Sequence, residues 1–154
     1  MIKAIKLVIK EGTLFDLYFD DGSVKRYDIL TLADKFPQLN ELKNRNLFVK
    51  GKLFGFSGVY WNDELDVSAE TVYEEGIEVS DEYDDIASVV FGYKLKEERL
   101  KKQLTQEDLS SMAHIDQADL SKIENGTSNP SLKTINKILK ELGCRFDIHS
   151  LKTS

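Results

Sequence analysis

The sequence predicts an α+β chain: a small antiparallel-sheet N-terminal domain followed by an all-α C-terminal domain. Three observations predict it. Apolar residues alternate with period two through the first half, then recur near every 3.6 residues from Val89 onward. The charge divides the same way, with 10 Lys/Arg against 18 Asp/Glu in residues 1–92 (net −8) and 11 against 9 in residues 93–154 (net +2). The length of 154 residues fits one ordinary domain or two small ones. With 41% hydrophobic and 31% charged residues, the composition is that of a globular chain.

Each element follows from local chemistry. Ile5, Leu7 and Ile9 alternate with Lys6, Val8 and Lys10 as a first strand, ended by Glu11-Gly12. Phe15, Leu17 and Phe19 alternate with Asp16 and Tyr18 as a second. Asp20-Asp21-Gly22-Ser23 supplies a tight hairpin turn, because Asp-Gly tolerates positive φ, and Val24 to Ile29 returns as a third strand. Residues 31–46 are leucine-spaced around Pro37 and predict one or two short helices. Leu53 to Trp61 predicts a further strand, with Gly55 and Gly58 as bulge or close-approach positions and Phe54, Phe56, Tyr60 and Trp61 in the core. Ser68 caps a short helix that Gly76 stops. These elements define a first domain at 1–79, and the acidic stretch 80–88 is assigned as a linker.

The second domain, 89–154, reads as helices. Val89, Val90, Tyr93, Leu95 and Leu100 mark the first. Thr105, with Asp108 three residues on, starts the second; Asp116 caps the third; Ser131 caps the fourth. The fourth carries Leu132, Ile135, Ile138, Leu139 and Leu142 on one face and ends at Gly143. Phe146, Ile148 and Leu151 predict a terminal strand.

Several function classes are excluded by composition. No run of about 18 apolar residues can span a membrane, and the lysine-interrupted N-terminus is no signal peptide, so a cytoplasmic chain is expected. Cys144, His114 and His149 are too few for a zinc site, and no metal or cofactor is expected. Gly51-Lys52 is not a P-loop, since Asn46 stands where the first glycine belongs and Leu53 replaces Ser/Thr. Gly55-Phe-Ser-Gly-Val59 misses the nucleophile-elbow spacing by one place. No catalysis is expected. Lys43, Arg45, Lys50 and Lys52 are assigned to a solvated face. Residues 53–93 carry 11 acids and no Lys or Arg, a stretch that would repel phosphate.

The informative segment is Leu104 to Gly126 followed by Asn129-Pro-Ser-Leu132. Two short helices with a three-residue break fit a helix-turn-helix. Leu109, Ala113, Ile115, Leu120 and Ile123 form its apolar seam, which leaves Gln117, Ala118, Ser121 and Lys122 outward. Glutamine can pair two bonds with adenine, and lysine can reach the guanine edge.

The residues Arg99, Leu104-Thr-Gln-Glu-Asp-Leu109, Ile115, Gln117, Leu120-Ser-Lys-Ile-Glu-Asn-Gly126 and Asn129-Pro-Ser-Leu132 resemble the signature of the Cro/XRE, lambda-repressor-like helix-turn-helix family over residues 93–143. The resemblance implies a four- or five-helix bundle whose recognition helix is 116–125. It implies double-stranded DNA as partner, with Gln117, Ala118, Ser121 and Lys122 against bases. It implies backbone contacts from Thr105, Gln106, Asn125, Thr127, Ser128 and Lys133, with Gln106 also buttressing Gln117. It implies an internal, structural pairing of Arg99 with Glu124. The chain departs from the pattern at Gln103 and His114, where the family has glycine, at Ser110, where alanine is usual, and at Asp116 and Asp119, which bring negative charge to the recognition helix.

Leu17-Tyr-Phe-Asp-Asp-Gly-Ser-Val-Lys-Arg-Tyr-Asp-Ile29, Val59-Tyr-Trp-Asn62 and Asp66 to Gly76 resemble a small bacterial domain family of unknown function. That family occurs alone, in toxin–antitoxin operons and in front of helix-turn-helix domains. The sequence therefore predicts a DNA-binding regulator acting as a homodimer, its terminal strand pairing across the dimer. A second expectation is an antitoxin whose acidic N-terminal domain binds a toxin-like partner protein. A third is a sensor whose N-terminal sheet takes a small molecule.

Overall fold

The structure is a computed structural model and describes residues 1–150. The chain divides into two compact units, Met1–Val90 and Phe91 onward.

In the first unit, β1 (Ala4–Ile9), β2 (Leu14–Phe19), β3 (Val24–Asp28) and β7 (Ile77–Glu78) form an antiparallel sheet in the order β1-β2-β3-β7. The β2–β3 register pairs Phe15 with Tyr27 and Leu17 with Lys25. The connecting turn is four residues, Asp20 to Ser23, with Gly22 at φ 89°. A second antiparallel sheet orders β4 (Lys52–Leu53), β5 (Gly58–Asn62) and β6 (Leu65–Ser68). Two 3-10 turns, Ile29–Leu32 and Pro37–Lys43, lead into the one-turn helix α1 (Arg45–Phe48). Helix α2 (Ala69–Glu75) starts at Ser68, whose Oγ accepts from the Thr71 amide, and stops at Gly76.

Period-two alternation sends Phe15, Leu17 and Phe19 of β2 to one core, where they meet Ile29, Leu42, Phe48, Trp61 and Val72. Trp61 stacks on Phe48 at 5.7 Å, and its indole N–H donates to the Phe48 carbonyl at 2.8 Å. Gly58 lies against β6: a Cβ there would come within 2.2 Å of the Val67 carbonyl oxygen. The expected single strand Leu53–Trp61 is instead a hairpin. Gly55, at φ 58°, turns the chain between β4 and β5. Phe54 and Phe56 ride on that turn, 66% and 40% exposed, and so are not core residues.

Residues 80–88 are not a linker. Asp16 and Tyr18 point away from the main core, and residues 79–89 cover that face with Val79, Tyr83, Ile86 and Val89. Asp16 is fully buried and takes a bidentate ion pair from Arg26 at 2.8 and 2.9 Å, together with the Tyr83 hydroxyl. Arg26 also holds Glu82 at 2.7 Å. Asp85 accepts from the Tyr18 hydroxyl at 2.6 Å and from Lys6 at 2.9 Å. Burial and the Asp16 carboxylate push the Tyr83 hydroxyl up to about 12. Burial raises Asp85, but the bonds from Tyr18 and Lys6 outweigh it and hold that carboxyl below its ordinary value. An acidic sequence here reads as solvated. The cations and phenols that claim it come from strands that are distant in sequence.

The second unit is helical. It contains most of α3 (Ile86–Lys101), then α4 (Gln106–Ala113), α5 (Gln117–Glu124) and α6 (Leu132–Glu141). Leu95, Leu109, Ala113, Leu120, Ile123, Ile138 and Leu142 make its core, with Ile115 and Leu139 packed against it. Leu100 and Leu132, expected inside, are 55% and 74% exposed. The terminal strand is absent among residues 144–150, and Leu151 lies outside the described residues. No helix among the described residues is long and apolar enough to cross a membrane.

Candidate nucleic-acid interface

Helix α4 begins with a complete capping box. The Thr105 hydroxyl accepts from the Asp108 amide at 3.0 Å, and the Asp108 carboxylate accepts from the Thr105 amide at 2.9 Å. The backbone and hydroxyl of Thr105 hold that carboxyl below its usual range. The helix ends at His114, which adopts left-handed backbone at φ 55° while Ile115 N–H bonds back to the Ser110 carbonyl at 3.0 Å. Asp116 then starts α5 without a side-chain cap bond.

Helix α5 is fixed by what it buries. Leu120, Ile123 and Glu124 face inward. Gln117, Ala118 and Lys122 are exposed and Ser121 is half-buried, on the helix face left over. Asn125 caps the helix and is exposed. Thr127 turns back, its amide and hydroxyl both donating to the Lys122 carbonyl at 3.0 and 3.2 Å. Ser128 is half-buried in the loop, and Lys133 is exposed at the second position of α6. The base-edge candidates therefore share one helix face. The backbone candidates lie at the N-terminus of α4 (Thr105, Gln106), in the loop after α5 (Asn125, Thr127, Ser128) and at the start of α6 (Lys133).

The inward end of α5 is tied to α3 by charge. Arg99 donates through Nε and Nη2 to the two carboxylate oxygens of Glu124, both at 2.8 Å, and through Nη1 to the Leu104 carbonyl at 2.8 Å. Their side chains are only 8% and 1% exposed. Glu124 raises the pKa of Arg99 above even its ordinary value. The Gln106 amide nitrogen also donates to Glu124, at 3.2 Å, so Gln106 is held by the recognition helix through Glu124 rather than by a printed bond to Gln117. Sequence reasoning missed this link, and it missed Gly92. A Cβ at Gly92 would meet the backbone oxygens of Ile123 and Glu124 at 2.2 and 2.8 Å, so α3 lies against the C-terminal end of α5. A glycine inside a helical pattern was the available signal, because it forfeits about 1 kcal/mol against alanine unless packing needs it.

The two departures from family glycine both stand in left-handed backbone, Gln103 at φ 57° and His114 at φ 55°. That region costs a non-glycine residue about 1–2 kcal/mol. Set against the chain entropy that glycine loses on folding, Gln103→Gly and His114→Gly should each stabilise the second unit by up to about 1 kcal/mol. Thermal melts of the two variants read this directly, and a fall in melting temperature for either would contradict it.

Comparison with known proteins agrees with this geometry. A helix-turn-helix family model matches residues 95–148. The chain is 45% identical over 54 residues to an uncharacterized HTH-type transcriptional regulator of Bacillus subtilis (strain 168), YqaF, covering 35% of this chain and 71% of that protein. Among solved structures, it is similar to the restriction-modification controller protein C.AhdI of Aeromonas hydrophila, with 34% identity over 36% of this chain and 83% of that one, TM-score 0.35. It is also similar to the clp gene regulator ClgR of Corynebacterium glutamicum, with 24% identity over 35% of this chain and 57% of that one, TM-score 0.34. Through its second unit, the chain belongs to the Cro/XRE-type helix-turn-helix family of DNA-binding transcriptional regulators.

Proposed function

We propose that this regulator is a cytoplasmic protein that reads its operator by laying α5 in the major groove of double-stranded DNA. The observation that carries the proposal is the exposed Gln117–Ala118–Ser121–Lys122 face, backed by buried Leu120, Ile123 and Glu124. In this reading Gln117 takes an adenine edge and Lys122 a guanine edge, while Ala118 and Ser121 let the helix approach closely. Thr105, Gln106, Asn125, Thr127, Ser128 and Lys133 position the unit on phosphates. A net charge of only +2 over residues 93–154 gives little non-specific attraction, so base contacts must supply an unusual share of the affinity. A single eight-residue helix reads few base pairs, which supports a two-fold homodimer on half-sites about 34 Å apart. The toxin-binding reading of the first unit is not favoured by the comparisons.

The roles separate by mutation. Gln117→Ala should cost about 1–3 kcal/mol at the operator and relax one base position. Lys133→Ala should weaken binding to all sequences alike and flatten the salt dependence by about one ion. Binding titrations on operator and scrambled duplexes distinguish them. Uniform loss in both variants would mean that α5 does not face the bases.

A further inference from the structure

The first unit carries an open groove of about 400 Å³ between the N-terminal segment, the β4–β5 turn and α2. Its apolar lining includes Ile2, Phe56, Ala69 and Tyr73, and Glu70 and Glu74 stand along one side. Both glutamates are exposed, and among the described residues neither has a hydrogen bond or an ion pair. Four residues apart on one helix face, they repel each other at a cost of about 0.2–0.5 kcal/mol to α2. No Lys or Arg within residues 53–93 relieves them. Phe56 is 40% exposed beside them, and Lys3 already lies 5.2 Å over its ring, so that surface accepts a cation on an aromatic face.

We propose that this groove docks a basic, apolar segment of a partner protein. Lys and Arg fit its chemistry because their methylene stems can cover Phe56 and Tyr73 while their charged ends reach Glu70 and Glu74. Nucleic acid does not fit, since the two carboxylates repel phosphate. A small polar ligand does not fit either, because the groove is open and lacks convergent buried polar groups. The proposal is independent of the operator reading, since it uses residues of the first unit alone.

The test is a selection of short random peptides displayed on phage against the full chain. The best peptide is then titrated, and its contacts are mapped by backbone amide shifts. Enriched peptides should combine Lys or Arg with aromatic or aliphatic residues, and shifts should centre on α2 and residues 54–57. Glu70→Gln/Glu74→Gln should lose at least about tenfold in affinity without a fall in melting temperature, because removing like charges does not weaken α2. Phe56→Ser should lose affinity as well. The proposal is overturned if nothing is enriched, if the enriched peptides lack basic residues, if shifts lie elsewhere, or if the glutamine variant binds equally. Self-association of the chain that the glutamine variant abolishes would assign the groove to a second copy and would also overturn it.

Discussion

Replacing Arg99 with alanine is expected to cost the second unit about 3–5 kcal/mol. The substitution leaves Glu124, 1% exposed at its side chain, as a buried charge without its cation. It also removes the donor to the Leu104 carbonyl and unsettles Gln106, which shares the Glu124 carboxylate. Stability in that range is comparable to the whole free energy of a small unit, so much of the population should be unfolded at ambient temperature. The pair is not, however, a strong source of net stability. Burying two ions costs nearly what their attraction returns, so Arg99→Met/Glu124→Leu, which exchanges the pair for apolar groups of similar size, should lie within about 2 kcal/mol of the parent. Chemical denaturation of the two single variants and the double variant gives the coupling energy. Near-additive losses would show that the two side chains do not meet.

Gly92→Ala is the second large effect, and its sign is diagnostic. In an unpacked helix this change stabilises by about 1 kcal/mol. Here the new Cβ would come within 2.2 Å of the Ile123 carbonyl oxygen, where only backbone movement can make room. Overpacking of that kind costs about 1–3 kcal/mol or more, so the propensity gain is outweighed and the second unit should melt several degrees lower. Operator affinity should fall with it, because the displaced carbonyls belong to the last turn of the recognition helix. A raised melting temperature would refute the close approach of α3 to α5.

Much of the second unit was legible in the sequence, because its signals are local. Thr105 and Asp108 form a capping box within four residues, Ser131 caps α6, and Leu109, Ala113, Leu120 and Ile123 follow helical spacing. The outward face of α5 follows by subtraction. The first unit was legible only where alternation and turns decide the outcome, as in β1 to β3 and at Ser68 and Gly76. The misreadings share one cause. Residues 80–88 look solvated because they are acidic, but Arg26, Lys6, Tyr18 and Tyr83 meet those acids or their neighbour Asp16 through the fold. Phe54 and Phe56 look like core because they are aromatic, and Gly55 turns them outward. In each case a partner distant in sequence, or one backbone angle, overrode composition.

The most direct measurement is selection of a randomised duplex library with the full chain, followed by fluorescence titration of the enriched duplex and a scrambled one at physiological salt. The account predicts discrimination of at least about 10³-fold, and predicts that Gln117→Ala/Lys122→Ala erases most of it while the melting temperature stays unchanged. Equal affinity for both duplexes, persisting at low salt, would contradict it.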